Sequence, residues 1–141
     1  MANQRSQIDG LWMSGPEIEV RGRRVKVIPP EAAFWDKLYI MQRERCDWPD
    51  VLNLLHAAGP DLDWELILRR MGEDWPLAAG CLWVFRWLAP GCAQRIPAWL
   101  WNRLDMPPMG EIEEAILKRR VDLVDTRPWF ATDREKLQPA A

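Results

Sequence analysis

The sequence is poor in the residues that build metal and disulfide sites. It has one histidine and three cysteines, and Cys46, Cys81 and Cys92 form no C-x-x-C pair. A structural zinc site needs four such ligands at short spacing, and a disulfide scaffold needs paired cysteines. We therefore expect no metal site and a cytoplasmic, reducing location. The single histidine, His56, is expected at the end of a helix or on the surface.

Long apolar runs and a strong net charge are also missing. The longest apolar run, residues 77–90, contains Arg86 and is shorter than the ~20 residues that cross a bilayer. The first ten residues lack the apolar core of a signal peptide. A net charge of −2 gives no general electrostatic attraction to nucleic acid or to an anionic membrane. We therefore expect neither a membrane nor nucleic acid as a partner.

What the sequence does contain predicts one α+β domain, mainly α, with an N-terminal β-hairpin followed by a bundle of about five to six helices. At 141 residues with 48% hydrophobic content, the chain is long enough to bury a core. Apolar and charged residues alternate over Ile18 to Ile28 around Arg21-Gly22, which predicts a hairpin. Its expected buried residues are Ile18, Val20, Val25 and Val27. Because a lone hairpin is only marginally stable, we expect it to pack on the helices or to join strands supplied by a partner at an exposed edge.

Helix start and stop signals divide the rest of the chain. Asp-Trp-Pro occurs at residues 47–49 and 74–76, and aspartate before an early proline favours a helix start. Asp63 predicts another start, and Gly72 predicts a helix end. The predicted helices are 31–45, 49–58, 63–71 and 75–88. The predicted organisation is a lead-in at 1–17, the hairpin and helical body at 18–104, a proline-rich linker at 105–110, a C-terminal helix at 111–124 and a flexible tail at 125–141.

Ten tryptophans are unusual for a chain of this size. They pack in cores and interfaces, or they serve as stacking platforms for single-stranded nucleic acid. Few lysines and arginines lie between the tryptophans of the helical body, so we expect core or interface packing. These residues are Trp64, Trp75, Trp83, Trp87, Trp99 and Trp101.

The stretch from Pro29 to Leu55 organises the chain. A helix over 31–45 places Phe34, Leu38, Met41 and Arg45 in one row, with Lys37 beside it. A cation next to an apolar stripe is costly unless a carboxylate pairs with it. Two interpretations follow. The first is a structural ion network, Arg45 with Asp50 and Lys37 with Glu44, that fixes the angle between two helices. The second is a phosphate-handling or catalytic cluster at a helix corner.

The same stretch carries a family resemblance. Its motifs are Val25-Lys26-Val27-Ile28, then Glu31 and Lys37, then Arg43-Glu44-Arg45, then Asp47-Trp48-Pro49-Asp50-Val51. Over about residues 22–97 the chain resembles the last part of the nucleotidyltransferase-fold domain in abortive-infection-type (AbiEii-like) nucleotidyltransferases. The resemblance implies that Lys37, Arg43 and Arg45 contact the phosphates of a nucleotide. It implies that Asp47 and Asp50 are supporting carboxylates.

The catalytic front of such an enzyme is missing from the pattern. Those enzymes carry, upstream, a Gly-Ser or Gly-Gly turn and an Asp-x-Asp or Asp-Glu pair that holds the metal. This chain has only Ser14-Gly15, in reversed order, with Asp9, Glu17 and Glu19 nearby. Metal-assisted phosphoryl transfer needs carboxylates to place magnesium on the phosphates. The catalytic residues are therefore unassigned, and we expect the chain alone to be inactive.

Two functions remain open at this point. The chain is a truncated or split nucleotidyltransferase-like protein, in which Mg²⁺ and a nucleoside triphosphate bind only when the missing catalytic part is supplied. Alternatively, it is a non-catalytic helical protein-interaction module. The hairpin edge and the C-terminal helix are then the candidate surfaces for a protein partner or for self-association.

Overall fold

The chain folds as an antiparallel hairpin followed by a bundle of helices, which confirms the predicted fold class. The structure, a computed structural model, describes residue 10 and residues 13–124. The predicted tail at 125–141 and most of the predicted lead-in lie outside the described residues. The elements are β1 (Glu17–Val20), β2 (Arg23–Lys26), α1 (Pro30–Leu38), α2 (Trp48–Ala58), α3 (Trp64–Met71), α4 (Trp75–Leu88), the short α5 (Pro90–Ala93), α6 (Ala98–Arg103) and α7 (Glu114–Val124).

The hairpin has the predicted turn, but its apolar face is not buried. Ile18 lies opposite Val25, and Val20 lies opposite Arg23. Arg21 and Gly22 both have positive φ, as a two-residue turn of the primed type requires. The predicted burial is wrong, because Ile18, Val20 and Val25 are each 44–46% exposed and Val27 is half-buried. Alternation places these side chains on one face as expected, but every residue of both strands is exposed.

The base of the hairpin depends on a glycine. A Cβ atom at Gly15 would lie 1.8 Å from the carbonyl oxygen of Val27, far inside contact distance. This close approach lets the Val27 N–H donate to the Pro16 carbonyl, 3.0 Å away, one pair beyond the strands. Only glycine allows the two segments to meet in this way.

The first helix is much shorter than predicted. It ends at Leu38 rather than at residue 45, so the predicted row of Met41 and Arg45 with Leu38 is wrong. Met41 is 57% exposed, whereas Ile40 is buried. Residues 40–47 turn back on themselves instead, and Met41 bridges Cys46. No glycine or proline stops the helix in this segment, so the reversal comes from contacts that local propensity does not encode.

Aspartates precede three of the helices as predicted, but only one caps with its side chain. Asp63 accepts a hydrogen bond from the Leu66 N–H at the start of α3. Asp47 and Asp74 stand at the N-cap positions of α2 and α4 without such a bond. Asp74 instead accepts from the Tyr39 hydroxyl at 2.9 Å. These two carboxylates therefore tie the helix starts to α1 and to the segment that follows it.

The core lies between α1, α2, α3 and α4, with α6 closing one end. Phe34 and Trp64 meet edge to face at 5.4 Å between ring centroids. Gly72 ends α3 with a positive φ, as predicted. Within residues 13–124, none of the helices combines the length and apolar character needed to cross a bilayer. The largest fully buried side chains are Trp64, Phe34, Phe85, Leu38, Leu55, Ile67, Leu82, Ile96 and Leu100.

The tryptophans divide into two groups. Trp64 and Trp101 are buried, as expected for core residues. The other four in the helical body are 38–45% exposed, so they lie outside the core, and their packing in an interface stays a prediction. Those four are Trp75, Trp83, Trp87 and Trp99. His56 lies in the last turn of α2, as predicted.

Candidate functional site

Two basic and two acidic side chains meet where α1 approaches the start of α2. We call this group, Lys37, Arg45, Asp47 and Asp50, the ionic corner. Lys37 stands in the last turn of α1 and Asp50 in the first turn of α2. Arg45 and Asp47 belong to the segment that joins the two helices. The corner therefore gathers residues from three consecutive parts of the chain.

The joining segment is a tight loop held by backbone hydrogen bonds. The Asp47 N–H donates to the Ile40 carbonyl at 2.9 Å, and the Gln42 N–H donates to the Arg45 carbonyl at 2.7 Å. Ile40 anchors the loop in the core. The Trp48 indole N–H adds a bond to the Leu38 carbonyl at 3.2 Å, at the end of α1. These contacts bring Arg45 back toward Lys37. In a continued helix, Arg45 would lie about 10 Å from Leu38 along the helix axis.

Asp47 is the centre of the ionic corner. Its Oδ1 accepts from Arg45 Nε at 2.8 Å and its Oδ2 from Arg45 Nη2 at 2.7 Å, a two-pronged arrangement typical of strong arginine pairs. Lys37 Nζ adds a longer bond to Oδ2 at 3.4 Å. The residue is 7% exposed. The hydrogen bonds from Arg45 and the one from Lys37 hold the pKa of Asp47 below its ordinary value, against the opposing effect of burial.

Lys37 makes its shorter bond to Asp50. Its Nζ donates to Asp50 Oδ2 at 2.6 Å. This hydrogen bond is the main reason why the pKa of Lys37 is raised. The Lys37 side chain is 34% exposed and that of Asp50 is 57% exposed, so this pair is open to solvent. The corner thus has a shielded half at Asp47 and an accessible half at Lys37 and Asp50.

The structure brings together four of the five candidate residues with different pairings from those predicted. Arg45 pairs with Asp47 rather than Asp50, and Lys37 pairs with Asp50 and Asp47 rather than Glu44. The predicted pairing fails because it assumed one unbroken helix through residue 45. Arg43 is exposed in the loop and forms none of the ion pairs that link the corner residues.

Sequence reasoning missed a cation outside the ionic corner, Arg86, which is buried in α4. Its guanidinium stacks against the rings of Trp83, at 4.9 Å, and Trp101, at 5.3 Å. Its Nη2 donates to the Pro107 carbonyl at 2.6 Å, in the segment that leads to α7. No carboxylate pairs with it among the described residues, and desolvation lowers its pKa. The signal available in the sequence was an arginine inside an apolar run with tryptophans one and three residues away.

The chemistry available at the ionic corner is charge recognition. Two cations face two carboxylates, so the corner carries no formal net charge. Arg45 uses Nε and Nη2 for Asp47, which leaves Nη1 as a spare donor, and Lys37 can exchange its exposed partner for another anion. Over the part of the chain that the structure describes, no three His, Cys, Asp or Glu side chains are grouped to hold a metal ion. The corner therefore offers hydrogen-bond donors to an anion.

Comparison of the chain with protein-family models, with curated proteins and with solved structures gave no match.

Proposed function

We propose that this chain is the helical part of a nucleotidyltransferase-like protein, that it lacks the metal-binding catalytic core, and that it is inactive alone. The observation that supports the proposal is the ionic corner. The residues that carry the resemblance to AbiEii-like nucleotidyltransferases are joined in one series of hydrogen bonds, from Arg45 to Asp47, from Lys37 to Asp47 and from Lys37 to Asp50. In this proposal the magnesium-binding carboxylates come from another part of a longer chain or from a partner.

The different exposure of the two ion pairs in the corner suggests how a triphosphate would bind. Asp47 holds Arg45 in a fixed orientation, with Nη1 unengaged by the described residues. Asp50 is exposed and competes for Lys37, so a phosphate oxygen that displaces it gains a charge-assisted bond. Mg²⁺, supplied with the missing catalytic part, would neutralise the remaining phosphate charge. Binding to the isolated chain should accordingly be weak.

The proposal is tested by measuring nucleoside triphosphate binding by calorimetry and by thermal shift, because a ligand that binds only the folded state raises the apparent stability. We expect Lys37→Met to weaken binding and Asp50→Asn to strengthen it, since the first removes a donor and the second removes a competing carboxylate. A matched control is Lys118→Met, which removes a similar lysine from the exposed Lys118–Asp122 pair.

Three results would argue against this function. Equal affinity of Lys37→Met and Lys118→Met would place the phosphates elsewhere. Failure of every variant to bind triphosphate, even with the proteins that co-purify from the native host, would leave the corner a structural ion network. Magnesium-dependent nucleotide transfer by the isolated chain would contradict the proposed lack of a catalytic core.

A second candidate function, a protein-interaction module, is favoured by the exposed hairpin. Its apolar face, formed by Ile18, Val20 and Val25, is 44–46% exposed to solvent. The C-terminal helix α7 has no buried residue, and Ile116, Leu123 and Val124 on it are exposed. Exposed sheet edges and apolar faces of this kind are sites at which other chains add. The two functions are compatible, because a split enzyme needs a docking surface for its other part.

A further inference from the structure

We propose that the outer edge of β2 binds an extended segment of another protein in which acidic and apolar residues alternate. This inference rests on the interaction-module function and specifies the edge that is used and the chemistry of its partner.

The hydrogen-bonding pattern of the hairpin determines which backbone groups are available. Val20 and Arg23 close a two-residue turn and therefore form a hydrogen-bonded pair. The Val27 N–H also bonds inward, to Pro16. Because such pairs alternate along an antiparallel ladder, Arg24 and Lys26 direct their N–H and C=O groups away from β1. Within residues 13–124 no other strand pairs with this edge.

The side chains along β2 determine which segment fits. Arg24 and Lys26 lie on one face and Val25 on the other. A strand added antiparallel to β2 stabilises the sheet best with acidic residues opposite the two cations and an apolar residue opposite Val25. The inner neighbour β1 already follows this rule, since Glu17 faces Lys26 and Glu19 faces Arg24. The Arg24–Glu17 contact is long, at 3.6 Å, and exposed, so the cations can also pair with carboxylates of an added strand.

Charge also argues against a second copy of this chain as the occupant. Two-fold pairing of β2 with itself opposes cations, and pairing of β1 with itself opposes carboxylates, both of which are unfavourable. Pairing of β1 from one copy with β2 from the next satisfies the charges. However, this head-to-tail pairing leaves the same two edges open at the ends of any assembly that does not close into a ring, and such an assembly keeps growing. A segment of a different protein satisfies the edge without this consequence.

The test uses a fluorescent peptide with alternating glutamate and valine, a matched peptide with lysine in place of glutamate, and anisotropy at low salt. Arg24→Pro removes an outward N–H from β2 while sparing the bonds to β1, and Glu19→Pro does the same on the β1 edge. We expect Arg24→Pro to weaken binding of the acidic peptide about five- to tenfold, as loss of one hydrogen bond and one charge implies. Glu19→Pro, which removes the carboxylate opposite Arg24, should not weaken it. Arg24→Thr, which retains the N–H, should have a smaller effect than Arg24→Pro.

A charge-neutral chain gives a test that does not depend on proline. Arg24→Gln with Lys26→Gln removes both cations without placing like charges opposite Glu17 and Glu19, and it should bind the acidic peptide no more tightly than the lysine peptide. Backbone amide NMR signals of Gly22 and its neighbours show whether each variant keeps the hairpin. A proline variant that loses the hairpin is replaced in the comparison by this charge-neutral chain.

The other outcomes separate the inference from the function on which it rests. Binding of only the lysine peptide, blocked by Glu19→Pro, would overturn the β2 assignment but preserve the interaction module. Reversible polymerisation of the chain, blocked by either proline variant, would make a second copy the occupant. If the chain binds a single-stranded oligonucleotide but neither peptide, and Arg24→Pro does not weaken that binding, the partner is nucleic acid rather than a protein. Failure of all these probes would overturn both the inference and the hairpin as an interaction surface.

Discussion

Replacement of Asp47 by asparagine tests the interpretation of the ionic corner most directly. The substitution preserves the size of the side chain but removes the charge that receives three hydrogen bonds from Arg45 and Lys37. A hydrogen bond to a charged group contributes roughly 1.5–3 kcal/mol, and breaking a fully buried ion pair costs about 3–5 kcal/mol. Both cations retain access to water, and Lys37 retains Asp50 as a partner. We therefore expect Asp47→Asn to cost less than breaking a fully buried ion pair, a loss of about 1–3 kcal/mol in the free energy of unfolding.

Asp50→Asn is the matched control for this substitution. Asp50 is 57% exposed and contacts only Lys37 among the corner residues, so it should behave as a surface ion pair worth roughly 0–1 kcal/mol. Urea denaturation at neutral pH measures both variants on the same scale. For a chain of this size, 1 kcal/mol corresponds to about 4 °C in Tm, so thermal unfolding should resolve the difference.

The pH dependence supplies a second check on Asp47. Its pKa is lower in the folded state than its ordinary value of 3.8. Its contribution is therefore present above pH ~4 and is lost as the pH falls through the folded-state pKa. The stability difference between the native chain and Asp47→Asn should accordingly narrow below pH ~4. An equal cost for Asp47→Asn and Asp50→Asn, or a difference that does not change in acid, would refute the central role given to Asp47.

Three further predictions concern features outside the corner. Arg86→Lys should lower the free energy of unfolding, measured by urea denaturation, by about 1–2 kcal/mol, because lysine loses the planar stacking on two tryptophans. Arg86→Met should lower it by less, and a larger loss for Arg86→Met than for Arg86→Lys would contradict this account of a buried cation. A thiol reagent at pH 8 should modify the exposed Cys46 rapidly, whereas Cys81, whose burial raises its pKa to about 12, should react only after unfolding; rapid labelling of Cys81 in the folded protein, detected by peptide mass spectrometry, would contradict its burial. Gly15→Ala should separate the base of the hairpin, because its Cβ meets the Val27 carbonyl; an unchanged amide signal for Val27 in NMR spectra would show that the close approach is not maintained.

The local signals in the sequence were sufficient where a single residue type decides the backbone. The positive φ values of Arg21 and Gly22 fit the predicted hairpin turn, and the positive φ of Gly72 fits the predicted end of α3. Asp63 caps α3 as expected. These features depend on neighbours within a few positions, so the sequence pattern reports them directly.

The candidate site was predicted in composition but not in geometry. Lys37, Arg45, Asp47 and Asp50 were identified together, because cations near an apolar stripe require nearby carboxylates. Their pairings were wrong because residues 39–45 favour a helix locally, whereas burial of Ile40 and the bond from Asp47 to the Ile40 carbonyl reverse the chain. Arg43 could not be separated from Arg45 before this loop was known.

Tertiary structure alone decided which surfaces are covered. The sequence by itself determined the order of hairpin and helices, the turn, and the residues available for an ionic site. Only the packing of the helices decided that Arg86 is buried between tryptophans while Ile18, Val20 and Val25 are exposed. The physical reason is that alternation and helical periodicity define which side chains share a face, whereas burial depends on whether a distant element packs against that face.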